Sequence, residues 1–96
     1  MDSTQEVKER LTKLKVQLAS RYPISSMALF GSYARNEQTE SSDLDIIVEF
    51  NGRIGSRFID LANEMEKSLG LKVGLISKKG IKKGYLSAIQ SDLIYV

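Results

Sequence analysis

The chain is 96 residues long, 42% hydrophobic and 27% charged, with a formal net charge of +2. These values suit one small folded domain and exclude a disordered chain, and so small a charge does not by itself imply nucleic-acid binding. Cysteine and histidine are both absent, which excludes disulfides, thiol nucleophiles, the usual zinc ligands and the usual imidazole base.

Ser3-Thr4-Gln5-Glu6 has the form of a capping box, and Val7, Leu11, Leu14 and Leu18 follow at helical spacing, predicting a helix from about Thr4 to about Ser20. Arg21-Tyr22-Pro23 ends it, because proline lacks an N–H and restrains the residue before it. Ser26 to Phe30 reads as a short strand leading into Gly31-Ser32, then a brief helical turn from Tyr33 to about Asn36 and a polar loop from Glu37 to Ser42. Asp43 to Phe50 is a second strand, apolar and β-branched, followed by the loop Asn51-Gly52-Arg53-Ile54-Gly55.

Phe58, Leu61, Ala62, Met65 and Leu69 mark a second amphipathic helix, closed by Gly70 where a C-cap glycine is expected. Leu71 to Ser77 is a third strand, Lys78 to Gly84 a basic loop, Tyr85 to about Ser91 a short helix, and Leu93 to Val96 an extended or helical end. The order predicts an α+β fold: a small mixed β-sheet with helices packed on one face, as one domain over residues 1–96. Met65 and the four tyrosines (Tyr22, Tyr33, Tyr85, Tyr95) are read as packing residues. No run approaches ~18 apolar residues and the polar N-terminus lacks a signal-peptide pattern, so a cytoplasmic protein with no membrane contact is expected.

Chemistry is concentrated between Gly31 and Asp45. Asp43 and Asp45 stand two apart on a predicted strand, so both project to one face while Leu44, Ile46 and Val48 face the other way. Adjacent carboxylates repel and desolvate each other, and a divalent cation is a common reason for keeping them together. Gly31-Ser32 ends the preceding strand; a turn there aims backbone N–H groups at an anion, and a side chain at residue 31 would hold phosphates away from the backbone. Arg35, just beyond, is a candidate phosphate contact, with an ion pair to Glu37 or Glu40 as the alternative.

Gly31-Ser32, ten residues, then Asp43-Leu44-Asp45 resembles the signature of the minimal nucleotidyltransferases of the DNA polymerase β superfamily. The resemblance implies a small nucleotidyltransferase fold in which Asp43 and Asp45 are catalytic and hold Mg²⁺, and Gly31, Ser32 and Arg35 bind the nucleotide phosphates. It implies transfer of a nucleoside monophosphate, commonly AMP from ATP, with pyrophosphate leaving. Several members of the family are antitoxins that silence a HEPN-domain RNase toxin by adenylylating a tyrosine. A HEPN partner, assembly with it, and no direct binding of nucleic acid are the corresponding expectations.

One position departs from that pattern. The family carries a third carboxylate on the strand after the second helix, but here the strand reads Leu71-Lys72-Val73-Gly74-Leu75-Ile76-Ser77, with Gly74 in the acid's place. Glu49 shares the parity of Asp43 and Asp45 but lies ~13 Å from Asp45 at ~3.3 Å per residue, too far along the strand to substitute. Gly74 therefore opens a second reading, a weak or silent nucleotide-binding module that neutralises its partner by binding. An antibiotic-modifying nucleotidyltransferase would need an added acceptor domain. No G-x-G-x-x-G or G-x-x-x-x-G-K-[ST] occurs to support a Rossmann or P-loop module.

Overall fold

The computed structural model describes residues 3–96. Helix α1 spans Thr4–Ala19; the Ser3 side chain accepts from the Glu6 N–H (3.1 Å) and its hydroxyl donates to the Glu6 carboxylate (3.2 Å). Strand β1 (Ile24–Phe30) runs into a four-residue helix, α2 (Gly31–Ala34), and β2 (Leu44–Phe50) follows after the polar loop. Helix α3 (Arg57–Leu69) ends at Gly70, whose φ of 66° is the left-handed cap that glycine adopts without strain. Strand β3 (Val73–Ser77), helix α4 (Lys83–Ile89) and β4 (Ile94–Tyr95) complete the chain, with 3₁₀ turns on either side of α4.

The sheet has the order β3-β2-β1-β4. β1 pairs antiparallel with β2 and with β4, and β2 pairs parallel with β3 across the α3 connection, so the sheet is mixed as expected. Of the two endings open for Leu93 to Val96, the extended one forms, completed by a bond from the Val96 N–H to the Met27 carbonyl (3.0 Å). α2 and α4 each begin two residues before their predicted starts, at Gly31 and Lys83.

Strand parity divides the core. Met27 and Leu29 of β1 and Leu44, Ile46 and Val48 of β2 point to one face, where they pack with Val7, Leu11, Leu14 and Leu18 of α1 and Leu61, Met65 and Leu69 of α3. The alternate residues Ala28, Phe30 and Ile47 point to the other face and pack under Ile89 and Leu86 of α4. Helices on one face thus describes the two long helices, while α4 makes a smaller cover over part of the opposite face. Asp45 belongs by parity to that opposite face, beyond the edge of the small cluster. No helix among the described residues is long and apolar enough to cross a membrane.

Candidate active site

Asp45 lies where three strands and a turn meet. In register it faces Phe30 of β1 on one side and Gly74 of β3 on the other. Immediately after Phe30 the backbone turns sharply, because Gly31 takes a φ of 74° and opens α2. A Cβ on Gly31 would stand 2.3 Å from Asp45 Oδ2, and one on Gly74 would stand 2.9 Å from Oδ1. The Asp45 carboxylate therefore fills space that two glycines leave open. At residue 31 a Cβ would press on the Oδ2, Cγ and Cβ of the acid together, whereas at residue 74 it would meet only the movable Oδ1.

The turn carrying Ser32 is fastened from several directions. The Arg35 N–H donates to the Gly31 carbonyl (3.1 Å) and the Glu37 N–H to the Ser32 carbonyl (2.8 Å). From α1, the Thr4 hydroxyl donates to the Tyr33 carbonyl (2.6 Å), and Tyr33 itself is buried. The first N–H groups of a helix have no partner within it, so α2 presents them at its Gly31-Ser32 end.

Asp43 is exposed and lies one residue before β2, which is held there by the Leu44 N–H donating to the Lys72 carbonyl (2.8 Å). It is close enough for its charge to act on Asp45. The Asp45 carboxyl is held above its ordinary value, by burial first and by the Asp43 carboxylate second, with Arg35 opposing. A cation relieves that combination of partial burial and like charge, and two carboxylates offer the all-oxygen donors that a hard divalent ion takes. The residues present fit such an ion as a two-acid site. Among the described residues no group of three or more acid, histidine or cysteine side chains is gathered to hold a metal, in keeping with glycine at position 74.

Arg35 is brought to the site but is already engaged. Its Nε donates to Glu37 Oε1 (3.0 Å), one of the two partners expected from sequence, and its Nη1 to Asp92 Oδ2 (2.9 Å). Asp92 was not legible as part of the site: it lies 57 residues away and no local pattern marks it. Glu49 takes no part, since it accepts from the Ser26 hydroxyl (3.3 Å) and pairs with Lys78 (3.8 Å) toward the far end of β2. Of the four tyrosines, Tyr22 and Tyr33 pack as expected, whereas Tyr85 and Tyr95 are half-exposed.

A glycine-opened turn is thus set against Asp45 on a mixed four-stranded sheet, with Asp43 just before the same strand. The family model described as nucleotidyltransferase domain matches residues 11–96, and the chain belongs to that family. It is 51% identical over 100 residues, spanning all of both chains, to a Methanocaldococcus jannaschii protein provisionally named protein adenylyltransferase MJ1379. It is 37% identical over 98 residues to the protein adenylyltransferase MntA of Thermococcus cleftensis, covering 100% of this chain and 98% of that one. A solved structure provisionally described as a minimal nucleotidyltransferase superposes with a TM-score of 0.81 at 28% identity, covering 97% of this chain and 95% of the other. A toxin-antitoxin crystal structure with AMP-PNP shares the fold, with a TM-score of 0.75 at 20% identity over 91% of this chain and 69% of that one.

Proposed function

We propose that this nucleotidyltransferase moves AMP from ATP onto a protein acceptor in the cytoplasm, that the acceptor is a HEPN-domain toxin, and that residues 1–96 work as one minimal domain serving as its antitoxin. The observation that carries this reading is the Asp45 carboxylate seated against Gly31 at the opening of α2, with Asp43 two residues before it. The names of the relatives support adenylyl transfer to protein, and the toxin-antitoxin neighbour with AMP-PNP supports a nucleotide and a toxin partner.

In this reading Asp43 and Asp45 would hold Mg²⁺, which when bound offsets the charge of the triphosphate and polarises the phosphoryl group under attack. The N–H groups opening α2 and the Ser32 hydroxyl take phosphate oxygens, and Arg35 exchanges a carboxylate partner for a phosphate. The acceptor hydroxyl oxygen bonds to the α-phosphorus, the bond from that phosphorus to the bridging oxygen breaks, and pyrophosphate leaves. The proton of the hydroxyl needs an acceptor at that moment. Gly74, in register with Asp45, offers no carboxylate there.

That one position favours the second reading, a module that binds nucleotide and partner but transfers slowly or not at all. The experiment is incubation of the purified chain with α-labelled ATP, Mg²⁺ and the protein encoded beside it. Label on that protein that disappears in Asp43→Ala/Asp45→Ala supports the transferase. Label seen only with Gly74→Asp supports the silent module. No label in any combination removes adenylyl transfer from this pair.

A further inference from the structure

Tyr85 stands out on the face that carries Asp45. It lies in the first turn of α4, half-exposed, and its ring meets the ring of Phe30 edge-on at 6.4 Å and 88°. The same side chain lines a cleft of about 460 Å³ together with Ile76, Ser77, Gly80, Ile81 and Lys82. Phe30 lies on β1 and Ile76 on β3, the two strands that flank β2. Tyr85 thus meets a residue of one flanking strand and walls a cleft with a residue of the other, across roughly 10 Å. Phe30 is level with Asp45 and Ile76 with Ile47, so the Tyr85 ring and its cleft border the stretch of sheet that carries Asp45 and Ile47.

An exposed aromatic ring beside an acid pair is a poor place for an idle apolar surface. The cleft it walls is mostly apolar and lies within the roughly 300–1,000 Å³ usual for small-ligand sites. Its strand residues Ile76 and Ser77 are level with Ile47 and Val48, two and three residues along β2 from Asp45. A larger hollow of about 890 Å³ lies at the far end of β2, with Glu49, Phe50, Arg53 and Lys78 in its lining. A triphosphate held at Asp45 and Gly31 extends its sugar and base away from the metal by only a few bonds. Ile76 stands two residues beyond Gly74 on β3, about 7 Å along the strand from the level of Asp45, a length that a nucleoside spans.

We propose that the cleft between β3 and α4 takes the nucleobase of the nucleoside triphosphate, with the Tyr85 ring as its stacking platform. This rests on the reading that Asp43, Asp45, Gly31 and Ser32 hold the triphosphate, and it adds the part of the ligand that those residues do not touch. Stacking on an aromatic ring tolerates any base, and the lining offers few polar side chains to discriminate among them, Ser77 being one.

The test compares binding of Mg-ATP with binding of Mg-tripolyphosphate, which has the charge but no base. Tyr85→Ala is expected to weaken ATP on the order of 10-fold while leaving tripolyphosphate unchanged, and Tyr85→Phe is expected to bind both as wild type does. The chain has no tryptophan, so Tyr85→Trp supplies an independent readout: its fluorescence is quenched by ATP and not by tripolyphosphate. Equal loss of both ligands in Tyr85→Ala, or no loss of ATP together with no quenching in Tyr85→Trp, overturns the proposal and leaves the ring to contact with the protein acceptor. Failure of the underlying reading is distinguishable, for then wild type binds neither ligand, or binds them unchanged in Asp43→Ala/Asp45→Ala, and the base cleft falls with it.

Discussion

Gly31 leaves empty the space that the Asp45 carboxylate occupies: a Cβ at residue 31 would come within 2.3 Å of Asp45 Oδ2. The phosphate turn and the acid of this site are thus one packing unit, although 13 residues lie between them in sequence.

A double-mutant cycle measures that unit. Gly31→Ala puts an L side chain at a φ of 74°, which costs about 1–2 kcal/mol by itself, and adds pressure on Asp45. In an Asp45→Ala background the carboxylate contact is gone, leaving the backbone part and a Cβ contact of 3.3 Å. The cost of Gly31→Ala in urea unfolding is expected to fall by about 1 kcal/mol in that background, within the range of contacting pairs. Equal costs in the two backgrounds would refute the contact.

Acid and neutral conditions separate Asp45 from Glu64. Burial, then Asp43, holds the Asp45 carboxyl above its ordinary 3.8. Its folded state binds a proton more readily than the unfolded chain, so this contribution to stability is full below 3.8 and is lost as pH rises through the raised value. Asp45→Asn is therefore expected to melt higher than wild type at neutral pH, with the difference closing as pH falls toward 3.8. Glu64 has the opposite sign, since hydrogen bonds from Arg21 and then from Tyr22 (2.9 Å) hold it below its ordinary 4.5. Its contribution is present above 4.5 and lost as pH falls through the lowered value, so Glu64→Gln melts lower at neutral pH and approaches wild type in acid. Thermal melts across that range should show the two curves converging on wild type from opposite sides.

Gly74 is the position where one substitution should change rate more than fold. A general base contributes roughly 10²–10⁴-fold, and Gly74→Asp is expected to raise labelled product by that order. Its Cβ requires Asp45 Oδ1, at 2.9 Å, to give way, which the end of a side chain can do. Gly74→Ala makes the same steric demand without the acid and serves as the control. Equal initial rates for the two variants would show that a carboxylate here adds no chemistry.

Arg35 is held between Glu37 and Asp92. If it turns to phosphate on binding, Asp92 competes with the nucleotide for it. Asp92→Asn is then expected to tighten ATP several-fold and Arg35→Ala to weaken it, both effects shrinking at high salt, with little change in melting temperature because the pair is partly exposed. Titrations at two salt concentrations decide it; unchanged affinity in Asp92→Asn removes the competition.

What the sequence made legible was whatever repeats along one element. The spacing of Val7, Leu11, Leu14 and Leu18 gave the buried stripe of α1, and the alternation from Leu44 to Val48 gave the two faces of β2. Gly31, Ser32, Asp43 and Asp45 were visible because a glycine turn and two acids at the start of a strand are local patterns, although Asp43 falls one residue before β2 rather than on it. Asp92 on Arg35 and Tyr85 on Phe30 depend on where α4 folds back over the sheet, and no periodicity encodes that placement. The start of α2 at Gly31 rather than Tyr33 followed from a positive φ that a turn-forming glycine permits but does not announce.

Gly74 in register with Asp45, and Gly31 just past Phe30, leave bare peptide on two sides of this acid, while Phe30 and Ile47 on its other sides belong to the core. Substitution at the glycines crowds the carboxylate, and substitution at Phe30 or Ile47 disturbs buried packing, so neither is easily adjusted. Variation in what the protein accepts must then come from the rim, from residues such as Tyr85 and Arg35 that stand at the surface and carry little of the core. Preference can drift there while the central scaffold stays intact, so two descendants of this chain could diverge in ligand without diverging in fold.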